Sequence, residues 1–204
     1  MLTFDHIAIA TETLDTGADE VAARLGMPME SGGQHTDMGT HNRLFSLGPS
    51  EYAEVIAVDP DGTAPTQPRW FNLDNFAGPT RTTNWICACP DLDAALAEAP
   101  DGAGIPWDLA RGDLSWRMAI PKDGKLPFDG LFPAMIQWKG DAHPAPRLAD
   151  RNLHLARLRL ISPQADALLA ALTPLISDDR VQIVPGAAPH IEATLATPGG
   201  EVTI

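Results

Sequence analysis

Apolar and polar positions alternate along the first ten residues, which is the pattern of a β-strand with two different faces. Ile7 and Ile9 fall on one of these faces, and the other face carries Phe4, His6, Ala8 and Ala10. Between residues 14 and 25 the apolar spacing changes to three and four, which predicts a helix that ends at Gly26. The chain is therefore predicted to begin with a strand followed by a helix.

The same order of elements is predicted three times along the chain. In the first pass, a glycine-rich turn at residues 31–33 leads to strands at residues 40–47 and 52–58. Two later passes show the same change from alternation to helical spacing and back to alternation. We therefore predict an α+β fold in which residues 1–204 form a single unit of three βαβββ segments, at residues 1–60, 80–140 and 150–204.

The charge of the chain narrows the possible partners. Its 27 acidic and 14 basic residues give a formal net charge of -13, and the basic residues form no cluster. Nucleic-acid binding is not expected, because phosphates are neutralised by clustered Lys and Arg. The amino terminus lacks a basic leader with an apolar stretch, and no segment approaches the roughly 18 apolar residues of a membrane span. We expect a cytoplasmic protein without membrane contact.

Two residues on the first and last strands of the first segment are candidates for chemistry. His6 and Glu54 lie far apart in sequence, but both side chains point into the same hollow if the strands form one curved sheet. An imidazole and a carboxylate are typical ligands of a divalent metal. Alternatively, His6 is a hydrogen-bonded core histidine, and Glu54 lies on a wet strand face or pairs with an arginine.

His41 and Arg43 share one face of the predicted strand at residues 40–47. If this face looks inward, His41 brings a base or a ligand and Arg43 brings a clamp for an anion. The alternative is a buried ion pair between Arg43 and Glu54 without any chemistry. His35 lies in a glycine-containing loop that either closes over a site as a lid or is only mobile.

Tryptophans are concentrated in the second segment. Trp85 and Trp138, together with Trp107 and Trp116, can line the apolar wall of a pocket. Core packing explains most of them without any ligand, because large aromatic residues are usually buried. Trp138 stands beside a turn, and it is the tryptophan that we most expect to face a ligand.

Several short segments occur in a characteristic order along the chain. They are DHIAIA, MGTHNRL, YAEVI, PAMIQW, HP and LATPGGEV, which begin at residues 5, 38, 52, 133, 143 and 195. In this order they resemble the glyoxalase-like branch of the vicinal oxygen chelate superfamily, which includes glyoxalases, bleomycin resistance proteins and extradiol dioxygenases. The resemblance spans nearly the whole chain, and it implies paired βαβββ modules whose curved mixed sheets wrap a cavity.

The resemblance also implies a metal site. Many relatives of this kind hold one divalent ion, such as Zn, Ni, Fe or Mn, and His6 and Glu54 match two of the ligand positions. In the second module the equivalent positions carry Asn84 and Met135, which are poor ligands for these metals. No nucleotide cofactor is expected, because the glycine-rich stretches lack the lysine or the strand-to-helix context of a phosphate-binding loop.

These observations predict a glyoxalase-like enzyme, an isomerase, lyase or dioxygenase, that acts on a small apolar compound with adjacent oxygens. We assign His41 and Glu54 to catalysis, and we assign to substrate binding Asn42, Arg43, Trp85 and Trp138. The main alternative is a metal-free protein that binds a small molecule, as in antibiotic resistance, and a third is a purely structural module. A homodimer is expected if modules pair between subunits.

Overall fold

The computed structural model describes all 204 residues, which form twelve strands and three α-helices. The first segment contains β1 (Thr3–Ala10), α1 (Leu14–Leu25), β2 (Glu30–His35), β3 (Thr40–Ser46) and β4 (Tyr52–Val58). The second contains β5 (Arg81–Ala88), α2 (Leu92–Glu98), β6 (Ile105–Arg111), β7 (Leu114–Ile120) and β8 (Ala134–Trp138). The third contains β9 (His154–Ser162), α3 (Ala165–Leu172), β10 (Val181–Pro185), β11 (His190–Thr197) and β12 (Gly200–Thr203). None of the helices is long and apolar enough to cross a membrane.

The first eight strands form one mixed sheet in the order β2-β3-β4-β1-β5-β8-β7-β6. Within each half the first strand pairs in parallel with the last strand, β1 with β4 and β5 with β8. The two halves join where β1 and β5 pair in antiparallel fashion. Each half is a βαβββ module, and the sheet curls strongly into a half-barrel. The predicted α+β fold, with repeated βαβββ modules in a curved mixed sheet, is confirmed.

The third segment has the predicted order of elements but pairs its strands differently from the two modules. Its four strands form a separate sheet in the order β10-β9-β11-β12, in which β9 and β10 are parallel neighbours. Helix α3 is thus the crossover between two adjacent parallel strands, a common βαβ connection. The third segment therefore does not extend the large sheet.

Apolar residues on the two faces of the large sheet build two separate cores. The larger core packs the helices and the third segment against one face, with Ile7, Val21 and Leu160 among its members. The smaller core lies on the opposite face and includes Ile56 and Trp116. Because β1 carries apolar residues toward both cores, nearly its whole length is buried.

A bulge in β1 changes the predicted face of one residue. In the pairing with β5 an extra residue, Asp5, is inserted between Phe4 and His6. Phe4 consequently packs with Ile7 and Ile9 in the larger core. The prediction that Phe4 shares a face with His6 is wrong, because strict alternation does not continue through a bulge.

The glycine-rich residues 31–33 form part of β2 rather than the predicted turn. This strand lies at the edge of the large sheet, and Gly32 and Gly33 form a bulge opposite Asn42 of β3. Glycine within a strand often marks a bulge or a close approach of other groups, and both conditions hold here. The turn prediction failed because glycine is favoured by turns and bulges alike.

Candidate functional site

A cavity lies against the face of the large sheet that carries the smaller core. The space inside it that water can occupy is about 30 Å³, and the cavity is partly open to solvent. The polar residues that line it are His6, His35, Asn42, Tyr52, Glu54 and Arg111. The apolar walls are formed by Trp70, Phe71, Leu114, Trp116, Met118, Ile136 and Trp138. Aromatic walls around a few convergent polar groups are typical of a small-molecule site.

Three ionisable side chains, Asp5, His6 and Glu54, form a line at the cavity. Asp5 Oδ1 lies 2.5 Å from His6 Nδ1, and His6 Nε2 lies 3.7 Å from Glu54 Oε1. The parallel pairing of β1 and β4 causes this, because it sets Ala8 level with Glu54 and His6 is two residues earlier on the same face. Tyr52 stacks on the imidazole with ring centroids 4.2 Å apart. The imidazole is therefore held between two carboxylates in one orientation.

Contacts among these groups determine which of them are charged. Burial alone lowers the pKa of His6, but its hydrogen bond with Asp5 and its attraction to the Glu54 carboxylate outweigh burial and raise this pKa to about 9. Burial raises the pKa of Glu54, but the contact with His6 and the hydrogen bond from Asn42 bring it below its usual value. The pKa of Asp5 lies well below its usual range, because hydrogen bonds from His143 and His6 outweigh burial. At neutral pH the imidazole is protonated and both carboxylates are ionised.

Asp5 accepts hydrogen bonds from three side chains. Besides His6, Trp138 donates through Nε1 to Asp5 Oδ2 at 2.9 Å, and His143 Nε2 lies 3.1 Å from the same oxygen. His143 Nδ1 accepts from the backbone N–H of Ala145, so its Nε2 carries the proton that is donated to Asp5. Asp5 therefore fixes the His6 ring and favours its charged form.

Asn42 links Glu54 to the second module. Its Nδ2 donates to Glu54 Oε2 at 2.7 Å, and its Oδ1 accepts from the backbone N–H of Gly33 at 2.9 Å. The same Oδ1 also accepts from Arg111 Nη1 at 3.3 Å. Because Arg111 is the last residue of β6, this contact ties the second module to strand β3 of the first module.

The substitution Gly32→Ala is expected to disturb this network. A Cβ atom at Gly32 would lie 2.1 Å from Asn42 Oδ1 and 2.4 Å from the carbonyl oxygen of Asn42, so β2 or β3 must shift. We expect the free energy of unfolding, measured with urea, to fall by about 1–3 kcal/mol. In the control Gly199→Ala the nearest atom, Thr197 Oγ1, is 3.7 Å away, and stability should hardly change. Equal losses in the two variants would contradict the packing described.

His35 lies in the cavity between Arg111 and Trp70. Its Nε2 is 3.0 Å from Arg111 Nη1, its Nδ1 is 3.1 Å from Thr40 Oγ1, and its ring centroid is 5.0 Å from that of Trp70. Burial lowers the pKa of His35 to about 4, so the ring is neutral and its Nε2 accepts from Arg111. The residue ends strand β2, so the prediction that His35 lies in a loop, either a lid or a mobile one, is wrong.

His41 and Arg43 do not line the cavity. Leu44 of β3 pairs with Glu54 of β4, so the even-numbered residues of β3 share the face of Glu54 and the odd-numbered residues face away from it. Arg43 instead contacts Asp15 of α1, with Nη2 3.2 Å from Oδ1. The predictions that His41 is a catalytic base and that Arg43 clamps an anion in the cavity are wrong. The alternative ion pair between Arg43 and Glu54 is not formed either.

The tryptophans of the second segment divide between the two faces of the sheet. Trp116 and Trp138 line the cavity, as the pocket-wall interpretation requires. Trp85 is fully buried in the larger core, where its Nε1 donates to the carbonyl oxygen of Leu131 at 2.8 Å. Its prediction as a substrate-binding residue is wrong, because its side chain lies on the face of β5 opposite the cavity.

Of the residues assigned from the sequence, His6, Asn42, Glu54 and Trp138 meet in this cavity. Several other residues at the site carry no sequence assignment, among them Asp5, Trp70 and Arg111. The sequence could have pointed to Asp5, because a carboxylate beside a histidine within an apolar strand needs a partner if it is buried. No periodic pattern marks the other two, which lie in a 3-10 turn and at a hairpin end.

A divalent metal would need more ligands than this site offers. His6 and Glu54 supply two donors, but no group of three or more His, Cys, Asp or Glu side chains is arranged to hold a metal ion. In the second module Asn84 lines a different cleft, Met135 is buried in the larger core, and Ile136 brings only hydrocarbon to the cavity. The donor set therefore does not fit the predicted metal.

Comparisons with solved structures agree with the fold. A hypothetical protein from Staphylococcus aureus superposes with a TM-score of 0.64 at 13% identity, covering 100% of this chain and 98% of that chain. The Mn(II)-bound glyoxalase from Novosphingobium aromaticivorans gives a TM-score of 0.53 at 11% identity, with 100% of this chain and 83% of that chain covered. Methylmalonyl-CoA epimerase from Mycobacterium tuberculosis gives a TM-score of 0.44 at 18% identity, over 69% and 89% of the two chains. At these identities the likeness concerns the fold alone.

Sequence comparisons identify the family. No curated protein matches the chain significantly. Residues 4–176 match the model of the glyoxalase-like domain, which covers both βαβββ modules and the beginning of the third segment. The chain therefore belongs to the glyoxalase-like domain family.

Proposed function

We propose that the protein is an enzyme of the isomerase or lyase type, which moves a proton on a carbon next to a carbonyl group. Its substrate is a small apolar compound with adjacent oxygens. The observation that carries this proposal is the position of the Glu54 carboxylate, which faces the protonated His6 ring across 3.7 Å within aromatic walls. Paired ionisable groups with perturbed pKa values in a cleft are typical of catalytic sites.

In this reaction Glu54 is the base and His6 is the acid. Asn42 holds Oε2 of Glu54, which leaves Oε1 to accept a proton from the substrate carbon. His6 donates its Nε2 hydrogen to the carbonyl oxygen, where negative charge develops as the carbon–hydrogen bond breaks. The proton on Glu54 then returns to the same carbon or to its neighbour, while a hydroxyl of the enol intermediate returns a proton to His6 and the carbonyl group re-forms. Asp5 stabilises the imidazolium throughout, and the cavity is open enough to solvent for the proton on Glu54 to exchange.

This mechanism uses no metal step, in keeping with the two-donor site. His41 has no part in it, because it does not line the cavity. A homodimer and a cytoplasmic location stay predictions. The alternative function is binding of a small molecule without a metal and without a reaction. The same aromatic walls support this alternative.

Proton exchange tests the proposal without knowledge of the natural substrate. The protein is mixed in D₂O with small α-hydroxyketones, 1,2-diketones and 2-oxo acids. The NMR signals of the protons on the carbon next to the carbonyl group are then followed over time. We expect the protein to accelerate their loss for at least one compound class, with a rate that declines as the pH rises through about 9 and His6 loses its proton. The variant His41→Asn should retain the full rate. Binding of these compounds without accelerated exchange would instead establish the alternative function.

A further inference from the structure

Arg111 is held in the cavity by contacts that span the two modules. It ends strand β6, and its guanidinium reaches the edge strand β2 and donates from Nη1 to His35 and Asn42. The absence of a side chain at Gly33 makes this approach possible, because a Cβ there would lie 2.9 Å from Arg111 Cδ. Residues of both strands, β2 and β6, therefore hold this cation in the cavity.

The hydrogen-bonding capacity of Arg111 is largely unused. Seven other arginines lie within 4.0 Å of a carboxylate, as Arg117 does with Asp93, whereas Arg111 contacts none. Its two hydrogen bonds both start from Nη1 and end on neutral acceptors. A guanidinium has five N–H donors in a planar fork that fits the two oxygens of a carboxylate. Its remaining donors are therefore suited to an anion.

Trp70 supplies a second unused donor near Arg111. Its Nε1 is buried and has no hydrogen-bond partner, although the residue lines the cavity. A buried donor without an acceptor is unfavourable, so such groups are rare unless a ligand or water completes them. Both Trp70 and Arg111 adjoin the His35 ring. Two residues with unused hydrogen-bond donors thus lie beside one neutral side chain.

We propose that the His35 side of the cavity is a carboxylate-binding subsite, in which Arg111 and Trp70 bind the carboxylate of a small 2-oxo acid. A 2-oxo acid combines adjacent oxygens with a negative charge, and its apolar tail suits the walls formed by Trp116 and Trp138. The inference rests on the proposed function for one point, that the oxo group and its neighbouring carbon lie toward His6 and Glu54. Recognition of the carboxylate itself is independent of turnover.

Binding of an acid and of its neutral ester separates this subsite from general apolar binding. The probes are 4-methyl-2-oxopentanoate and its methyl ester, titrated by calorimetry. We expect the wild type to bind the acid roughly tenfold or more tightly than the ester, because hydrogen bonds to a charged group are stronger than those to a neutral one. In Arg111→Gln the preference should vanish. In Trp70→Phe, which keeps an aromatic ring but removes the donor, affinity for the acid should fall about fivefold to tenfold.

Controls make each outcome decisive. Arg117→Gln removes a surface arginine that lies outside the cavity, and it should leave the preference for the acid unchanged. If Arg111→Gln proves unstable, Arg111→Lys replaces it in the test. This variant keeps the charge and should retain part of the preference for the acid. Equal affinity of the wild type for acid and ester, or no binding of the acid, would overturn the subsite. An acid preference that depends on Arg111, combined with no proton exchange, would retain the subsite and refute the proposed function.

Discussion

Replacement of Glu54 by glutamine is expected to slow the catalysed exchange of substrate α-protons by about 10²–10⁴-fold, the usual range for loss of a general base. The amide of glutamine has nearly the same shape as the carboxylate, and it can still accept the hydrogen bond from Asn42 Nδ2. It cannot accept a proton from carbon. The loss should therefore appear in kcat, with little change in the binding of unreacted ligand.

A matched control shows whether this effect is local. Glu20 is an exposed residue of α1, outside the cavity, and Glu20→Gln removes the same charge from the surface. This variant should exchange protons at the wild-type rate. If Glu54→Gln also stayed within threefold of the wild type, while circular dichroism showed both to be folded, Glu54 would not be the base. The proposed mechanism would then be refuted.

The position of Glu54 at the site could be predicted from the sequence because two patterns combine there. Alternation in the segments that became β1 and β4 predicted a face for His6 and for Glu54, and a single curved sheet was predicted to turn both faces into one hollow. Parallel pairing of the first and last strands then brings the two side chains together. Local periodicity and a standard connection thus account for the fold of both modules and for the core of the site.

The faces of β3 were assigned wrongly because alternation alone does not tell which set of residues points inward. The register of the β3–β4 hairpin decides this, since it pairs Leu44 with Glu54 and turns Asn42 into the cavity in place of His41. A bulge likewise changes which face a residue occupies in β1, where the extra residue Asp5 places Phe4 in the larger core instead of on the face of His6. Register and bulges depend on contacts across strands, which a single sequence does not display.

The residues that no pattern marked reach the site through tertiary contacts. Arg111 comes from a hairpin of the second module, and Trp70 comes from a 3-10 turn next to Phe71 and Asn72, which both adopt the left-handed backbone conformation. Such a conformation is uncommon for residues with a side chain and is held by its surroundings. The polar network around Glu54 therefore depends on packing between modules, whereas the pair of His6 and Glu54 depends on one module only.

The stability of the protein is expected to fall as the pH rises from about 6 to 10, chiefly because of His6. Its pKa is about 9 in the folded state and 6.5 in an unperturbed histidine, so between these values the folded state binds more protons than the unfolded state. The stabilisation by the charged imidazole is fully present below pH 6.5 and is lost as the pH passes 9. Urea unfolding over this range should show a decrease of roughly 3 kcal/mol in the free energy of unfolding.

The variant His6→Gln isolates this contribution from that of other groups. Burial also raises the pKa values of Cys87 and Cys89, so both thiols add to the loss of stability at the alkaline end. They remain in the variant, and the difference between wild type and variant therefore reports His6 alone. We expect this difference to be largest near pH 6 and to shrink steadily up to pH 10. A difference independent of pH would mean that His6 is neutral in the folded state, and Glu54 would then face no imidazolium in the cavity.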